Sequence, residues 1–213
     1  MENKMGDMVL QTIRRLDSPI SILSRQATTP PPADFENVNE SSTLSEWISY
    51  QIIESLPNYS DTVISFINEN QLKSMFKMLS PMPDYVIQTS NEEHAISVTR
   101  AMFPCPHHMN TYNVRGDFSL DEAYRLLYKK TRALLVVFKI TEIDCEVVRP
   151  WSRLILHILS ESEYITNRLL EVYPSVMSEL KKDFPDMQQV DTLITTIPSD
   201  MNSLLIKKIF AGV

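Results

Sequence analysis

Apolar residues recur at three- and four-residue intervals along most of this chain. In residues 5–16, "MGDMVLQTIRRL", Met5, Met8, Val9, Ile13 and Leu16 fall on one stripe, which predicts a short amphipathic helix ended by Asp17-Ser18-Pro19. The stretch "T43-L-S-E46" has capping-box spacing, and Leu44, Trp47, Ile48, Ile52 and Leu56 line one face of the helix predicted to follow it. Pro57 stops that helix. Ser60 or Asp61 opens another, with Val63, Phe66, Ile67, Met75, Phe76 and Leu79 apolar, ended by Pro81 and Pro83.

Residues 84–103 carry two patterns. "DYVIQTS" suits a short strand, whereas Asn91-Glu92-Glu93 suits the start of a helix running toward Phe103. "S119-L-D-E122" repeats the capping-box spacing ahead of "LDEAYRLLYKKTRALLVVFKI", which reads as one long helix, or as a helix plus a buried strand over 133–140. Strand partners are scarce in the pattern, which favours the helix. Arg149-Pro150-Trp151 suits a helix start with proline in the first turn, and "WSRLILHIL" beyond it is apolar on most faces, hence central. "S160-E-S-E163" has the same capping spacing. Pro174, Pro185 and Pro198 then divide the remainder into short helices, the last being "MNSLLIKKIF". The pattern therefore predicts a mainly α fold, an irregular multi-helix bundle of about 8–10 helices, with 84–89 or 133–140 as places for a short β element.

Glycine usage points the same way. Only Gly6, Gly116 and Gly212 occur in the 213 residues. Phosphate-cradling loops and primed hairpin turns need positive φ, which glycine supplies at least steric cost, so a Rossmann turn, a P-loop and a series of tight hairpins are all disfavoured. The expected organisation is an amphipathic N-terminal helix (1–17), a Pro-rich flexible linker (18–42) containing Thr-Thr-Pro-Pro-Pro, and a helical globular domain (43–213).

Cys105 and Cys145 are the only cysteines, too few for a secreted disulfide framework. No apolar run reaches the ~18 residues of a spanning helix, and the first residues lack the apolar stretch of a secretory signal. The expected location is therefore intracellular: cytoplasm, nucleus or the interior of a virion.

Charge is unevenly spread. The net value is −7, yet Asp34–Glu93 holds ten acidic residues against Lys73 and Lys77, while Arg125–Arg153 holds seven basic residues against three acidic ones. A basic surface is what neutralises phosphates, so the overall balance disfavours nucleic acid as a partner. Within "Y124-R-L-L-Y-K-K-T-R132", Arg125, Lys129 and Arg132 share a helix face beside Tyr128 and, together with Lys130, form a candidate docking surface for an acidic protein or an anionic membrane.

The chemistry-bearing candidates are weaker. "F103-P-C-P-H-H-M-N110" offers Cys105, His107 and His108 between two prolines, but adjacent histidines seldom aim at one ion, and His94, Cys145 or His157 would be a fourth ligand at no characteristic spacing. A stiffened surface loop is the simpler reading, and no metal or cofactor is expected. His157 inside "LILHIL" reads as a hydrogen-bonded core histidine, not a catalytic base, and Cys145 as an inert buried thiol. The adjacent carboxylates Glu92-Glu93 and Asp121-Glu122 suit the positive ends of helices. The expectation is a non-enzymatic interaction or assembly protein, an adaptor or a self-associating structural subunit. Its partner-binding residues would be Met5, Met8, Val9, Ile13 and Leu16 on a tethered docking helix, with Arg125, Lys129, Lys130 and Arg132 on the basic face. The competing expectation is a viral matrix-like or peripheral membrane protein using the basic stretch 125–132 on anionic lipid, and a metal-dependent enzyme or metal-stapled domain ranks below both.

Overall fold

The computed structural model describes residues 13–16, 41–56, 63–76, 82–90, 92–103, 117–144, 151–185 and 190–197. In chain order the elements are strand β1 (Ile13–Leu16), helix α1 (Ser41–Glu54), strand β2 (Val63–Asn68), helix α2 (Glu69–Phe76), strands β3 (Tyr85–Thr89) and β4 (Glu93–Ala101), helix α3 (Leu120–Asp144), strand β5 (Arg153–Ser160), helix α4 (Glu163–Asp183) and strand β6 (Val190–Thr196). Five longer strands and the four-residue β1 form one sheet in the order β1-β6-β5-β4-β3-β2. The fold is α/β.

The sheet is mixed. β2, β3 and β4 form an antiparallel meander, while β4, β5, β6 and β1 run parallel. The two parallel steps from β4 to β5 and from β5 to β6 are made through α3 and α4, because parallel neighbours need a long crossover. Those two helices pack on each other and on one sheet face, enclosing Leu127, Leu134, Leu169 and Val176 against Ala95, Leu154, Leu156, Ile158 and Ile194. Helix α1 covers the opposite face, setting Leu44, Trp47, Ile48 and Ile52 against Tyr85, Ile87, Ile96, Ile155, Leu159 and Leu193. The result is three layers with the sheet in the middle.

This overturns the mainly α reading and the irregular bundle of about eight to ten helices; among the described residues there are four helices. The run 151–160 is central, as its apolarity implied, but it is β5. A strand covered on both faces loses its alternation and cannot be separated from a buried helix by periodicity alone. The span 93–103 contains β4 instead of a helix, and 63–68 is β2, with helix only from Glu69. The short strand expected at 84–89 is present as Tyr85–Thr89, and 133–140 lies inside α3. Pro174 does not divide the chain: α4 runs through it, with the proline on the solvent side. The segment "MNSLLIKKIF" lies outside the described residues.

Glycine scarcity misled because this topology uses few tight turns. The parallel strands are joined by helices, and the β3–β4 connection is closed by polar groups: the Thr89 amide donates to the Glu92 carbonyl at 2.8 Å, while the Glu92 amide donates to the Thr89 hydroxyl at 3.1 Å.

The capping signals were partly right. At α3 the box is complete: the Ser119 amide donates to the Glu122 carboxylate at 2.7 Å and the Glu122 amide to the Ser119 hydroxyl at 3.2 Å. At α4 the cap is Ser162, whose hydroxyl accepts from the Ile165 amide, while Ser160 closes β5. Helix α1 begins at Ser41, so Thr43 lies within it.

Candidate functional site

The sheet face beneath α1 carries a line of polar side chains. Tyr85 from β3, Ser49 from α1, His157 from β5 and Thr195 from β6 are all fully buried. The Ser49 hydroxyl lies 2.7 Å from the Tyr85 hydroxyl and 2.7 Å from His157 Nδ1, and His157 Nε2 lies 2.9 Å from the Thr195 hydroxyl. A neutral imidazole donates from one nitrogen and accepts at the other, so a chain running Tyr85 to Ser49 to His157 to Thr195 uses the Tyr85 and Ser49 hydroxyl protons and the imidazole Nε2–H once each, with the Thr195 hydroxyl accepting at its end. Burial pulls the His157 imidazole down to about 3, well below its ordinary value, and holds it neutral. A serine hydroxyl against a histidine nitrogen resembles the start of a nucleophilic pair, but a substrate cannot reach atoms sealed under α1. This line ties α1 to the sheet, and His157 is the hydrogen-bonded core histidine its apolar setting suggested.

A carboxylate group adjoins it. Burial, then the charges of Asp84 and Glu69, push the Glu46 carboxyl up to about 8, and no cation among the described residues pairs with it. Asp84 is also raised by burial, against the opposing effect of the Val98 amide at 2.6 Å, the Ser97 hydroxyl at 2.9 Å and the charge of Lys130. Lys130 is half-buried, and its charge favours the ionised form of Asp84.

The carboxyl ends of parallel strands are where open α/β sheets commonly hold ligands. Here the polar groups are engaged with one another. The Phe103 amide donates to the Glu161 carboxylate at 3.0 Å, the Thr166 and Thr196 hydroxyls meet at 2.8 Å, and the Tyr164 hydroxyl donates to Asp117 at 2.7 Å. Exposed Tyr164 is flanked by Phe103, stacked at 6.2 Å, and by the Arg168 guanidinium 5.0 Å from its ring centre. Cys105, His107 and His108 lie between Phe103 and Asp117 in sequence, outside the described residues, as does Cys145. Among the described residues no group of three His, Cys, Asp or Glu side chains is placed to hold a metal ion. At the opposite end of the strands His94 contacts Glu92 at 2.8 Å and Arg153 pairs with Asp191 at 2.8 Å. Burial pulls the His94 imidazole below its ordinary value, with Glu92 acting in the opposite sense.

The outer face of α3 is different. Arg125, Lys129, Arg132 and Lys139 are exposed at spacings of four, three and seven, with half-exposed Val136 completing the stripe. From Arg125 to Lys139 it extends about 21 Å at 1.5 Å per residue. Arg125 pairs with Asp121 at 2.8 Å. Among the described residues no carboxylate forms a salt bridge with Lys129, Arg132 or Lys139. Two acidic side chains of α4 meet the other flank of α3, where Tyr124 donates to Glu179 and Tyr128 donates to Asp183 at 2.8 Å. The two tyrosines stack at 6.1 Å along that seam.

The sequence-predicted partner residues therefore separate. Arg125, Lys129 and Arg132 stand on one exposed stripe, which Lys139 extends, while Lys130 is half-buried and lies within electrostatic range of Asp84. Ile13 and Leu16 belong to β1, which corrects the helix predicted over 5–16 at its last residues, and Met5, Met8 and Val9 lie outside the described residues. Sequence reasoning did not find the Tyr85–Ser49–His157–Thr195 line. Its bonded members are 36, 108 and 38 residues apart in the chain, and no local pattern connects them. No helix among the described residues is long and apolar enough to cross a membrane. Comparison with family models, with curated proteins and with solved structures finds no match to the chain.

Proposed function

We propose that this is an interaction and assembly protein that docks through the outer face of α3 onto an acidic protein surface. The observation that carries the reading is the exposed stripe of Lys129, Arg132 and Lys139, unneutralised among the described residues in a chain of net charge −7. Cations spaced along one rigid helix offer a straight track of donors, and their attraction for an acidic partner sets encounter rate and register. Half-exposed Val136 in the middle of the track supplies apolar contact on the same line.

The test uses purified full-length protein, a polyglutamate peptide and vesicles with and without phosphatidylserine. The wild-type protein should bind polyglutamate at low salt and lose it as the screening length shortens from about 30 Å at 0.01 M to about 8 Å at 0.15 M salt. The combined variant Lys129→Glu, Arg132→Glu, Lys139→Glu should not bind. Flotation with anionic vesicles without peptide binding would move the stripe to a peripheral membrane role. Binding to neither would remove this reading.

A further inference from the structure

Strand β1 is held at the sheet edge in an unusual way for a parallel strand. Among the described elements it comes first, yet it pairs with the last described strand, Ile13 opposite Thr192, Arg14 opposite Leu193, Arg15 opposite Ile194 and Leu16 opposite Thr195. No crossover helix links it to β6, the usual parallel connection. Its nearest covalent tie to the described domain is the stretch 17–40, which leads to α1. That stretch contains Pro19, Pro30, Pro31 and Pro32, each of which restricts its own φ.

We propose that β1 is an exchangeable strand, and that β6 of one copy accepts residues 13–16 of a second copy. The contacts made by β1 are the same whether the strand comes from its own chain or from another. What differs is the entropy of closing the connecting loop against that of associating two chains. The 24 residues of 17–40 give β1 a finite effective concentration at its own sheet edge, so exchange competes when copies are crowded together. A four-residue edge strand also opens at little cost, which lets the swap proceed without unfolding the three layers. The partner is thus an extended segment adding to a sheet edge, with backbone pairing as the recognition. This inference does not depend on the α3 stripe and stands or falls separately from it.

Disulfide trapping tests it. Adjacent strands lie about 4.8 Å apart, within the reach of a disulfide. With Cys105 and Cys145 replaced by serine, one preparation carries Ile13→Cys and a second carries Thr192→Cys. After the two are mixed and oxidised, a covalent dimer joined through positions 13 and 192 is expected, identified by peptide mass, with a yield that rises with protein concentration. Lys129→Cys in place of Thr192→Cys should give no such rise. A third chain carrying both Ile13→Cys and Thr192→Cys should close on itself at high dilution. If that doubly substituted chain closes internally while the mixture yields no dimer through 13 and 192 at any concentration, β1 stays with its own chain and the proposal is wrong. Absence of the disulfide in both experiments would remove the β1–β6 pairing itself. The Lys129→Glu, Arg132→Glu, Lys139→Glu background should leave the dimer yield unchanged.

Discussion

Leu156 and His157 are neighbours on β5, both with no exposed surface, yet they face opposite worlds. Leu156 points toward α3 and α4, into a layer built mostly of aliphatic side chains from two long helices. His157 points toward α1, where a single 14-residue helix covers the sheet and a line of hydroxyls meets the imidazole. One side is held by area, the other by fewer apolar contacts plus a specific set of hydrogen bonds. Apolar burial tolerates small shifts in geometry, whereas the polar line holds only where every member is in place.

The comparison can be broken most directly at Leu156. Leu156→Ala removes three buried carbons from the thick layer and should cost about 2–5 kcal/mol in urea unfolding. His157→Leu should cost less, about 1–3 kcal/mol, because the apolar volume is retained while the Ser49 and Thr195 hydroxyls lose a partner. If the second loss matched or exceeded the first, the polar line and not the aliphatic layer would dominate the hold on β5. The same variant sharpens the distinction through pH. The folded His157 value, about 3, lies below the unfolded 6.5, so the unfolded chain binds the extra proton between them and wild-type stability falls as pH drops through that window. The slope from this one group is at most about 1.4 kcal/mol per pH unit, and His157→Leu should remove it.

Glu46 on α1 works in the opposite direction. Its folded value of about 8 lies above the unfolded 4.5, so stability is lost as pH rises between them. Glu46→Gln should raise the Tm near neutral pH by about 2 °C and flatten the alkaline side, the effect being limited by partial solvent access. The smallest expected effect lies outside both cores. Reversing Lys129, Arg132 and Lys139 should change unfolding stability by no more than about 0.5 kcal/mol, since exposed cations without salt bridges contribute little to the fold. A large loss would mean that the stripe is structural and not a docking face.

What was legible in the chain was whatever depends on near neighbours. The Ser119–Glu122 box and the apolar spacing beyond it specify α3, and the buried face of α1 at Leu44, Trp47, Ile48 and Ile52 follows from its 3.6-residue rhythm. Arg125, Lys129 and Arg132 share a face for the same local reason, and His157 sits in an apolar run too dense to be surface. Only the tertiary structure decided that 93–101, 153–160 and 190–196 are strands, since a strand buried on both faces has lost the alternation that would mark it and its pairing partners lie far along the chain. It likewise decided that residues 13–16 pair with β6, that Lys130 lies within electrostatic range of Asp84, and that Tyr85, Ser49, His157 and Thr195 join in one line. Helices close their hydrogen bonds within a few residues, whereas sheets and buried polar lines close theirs across the whole chain.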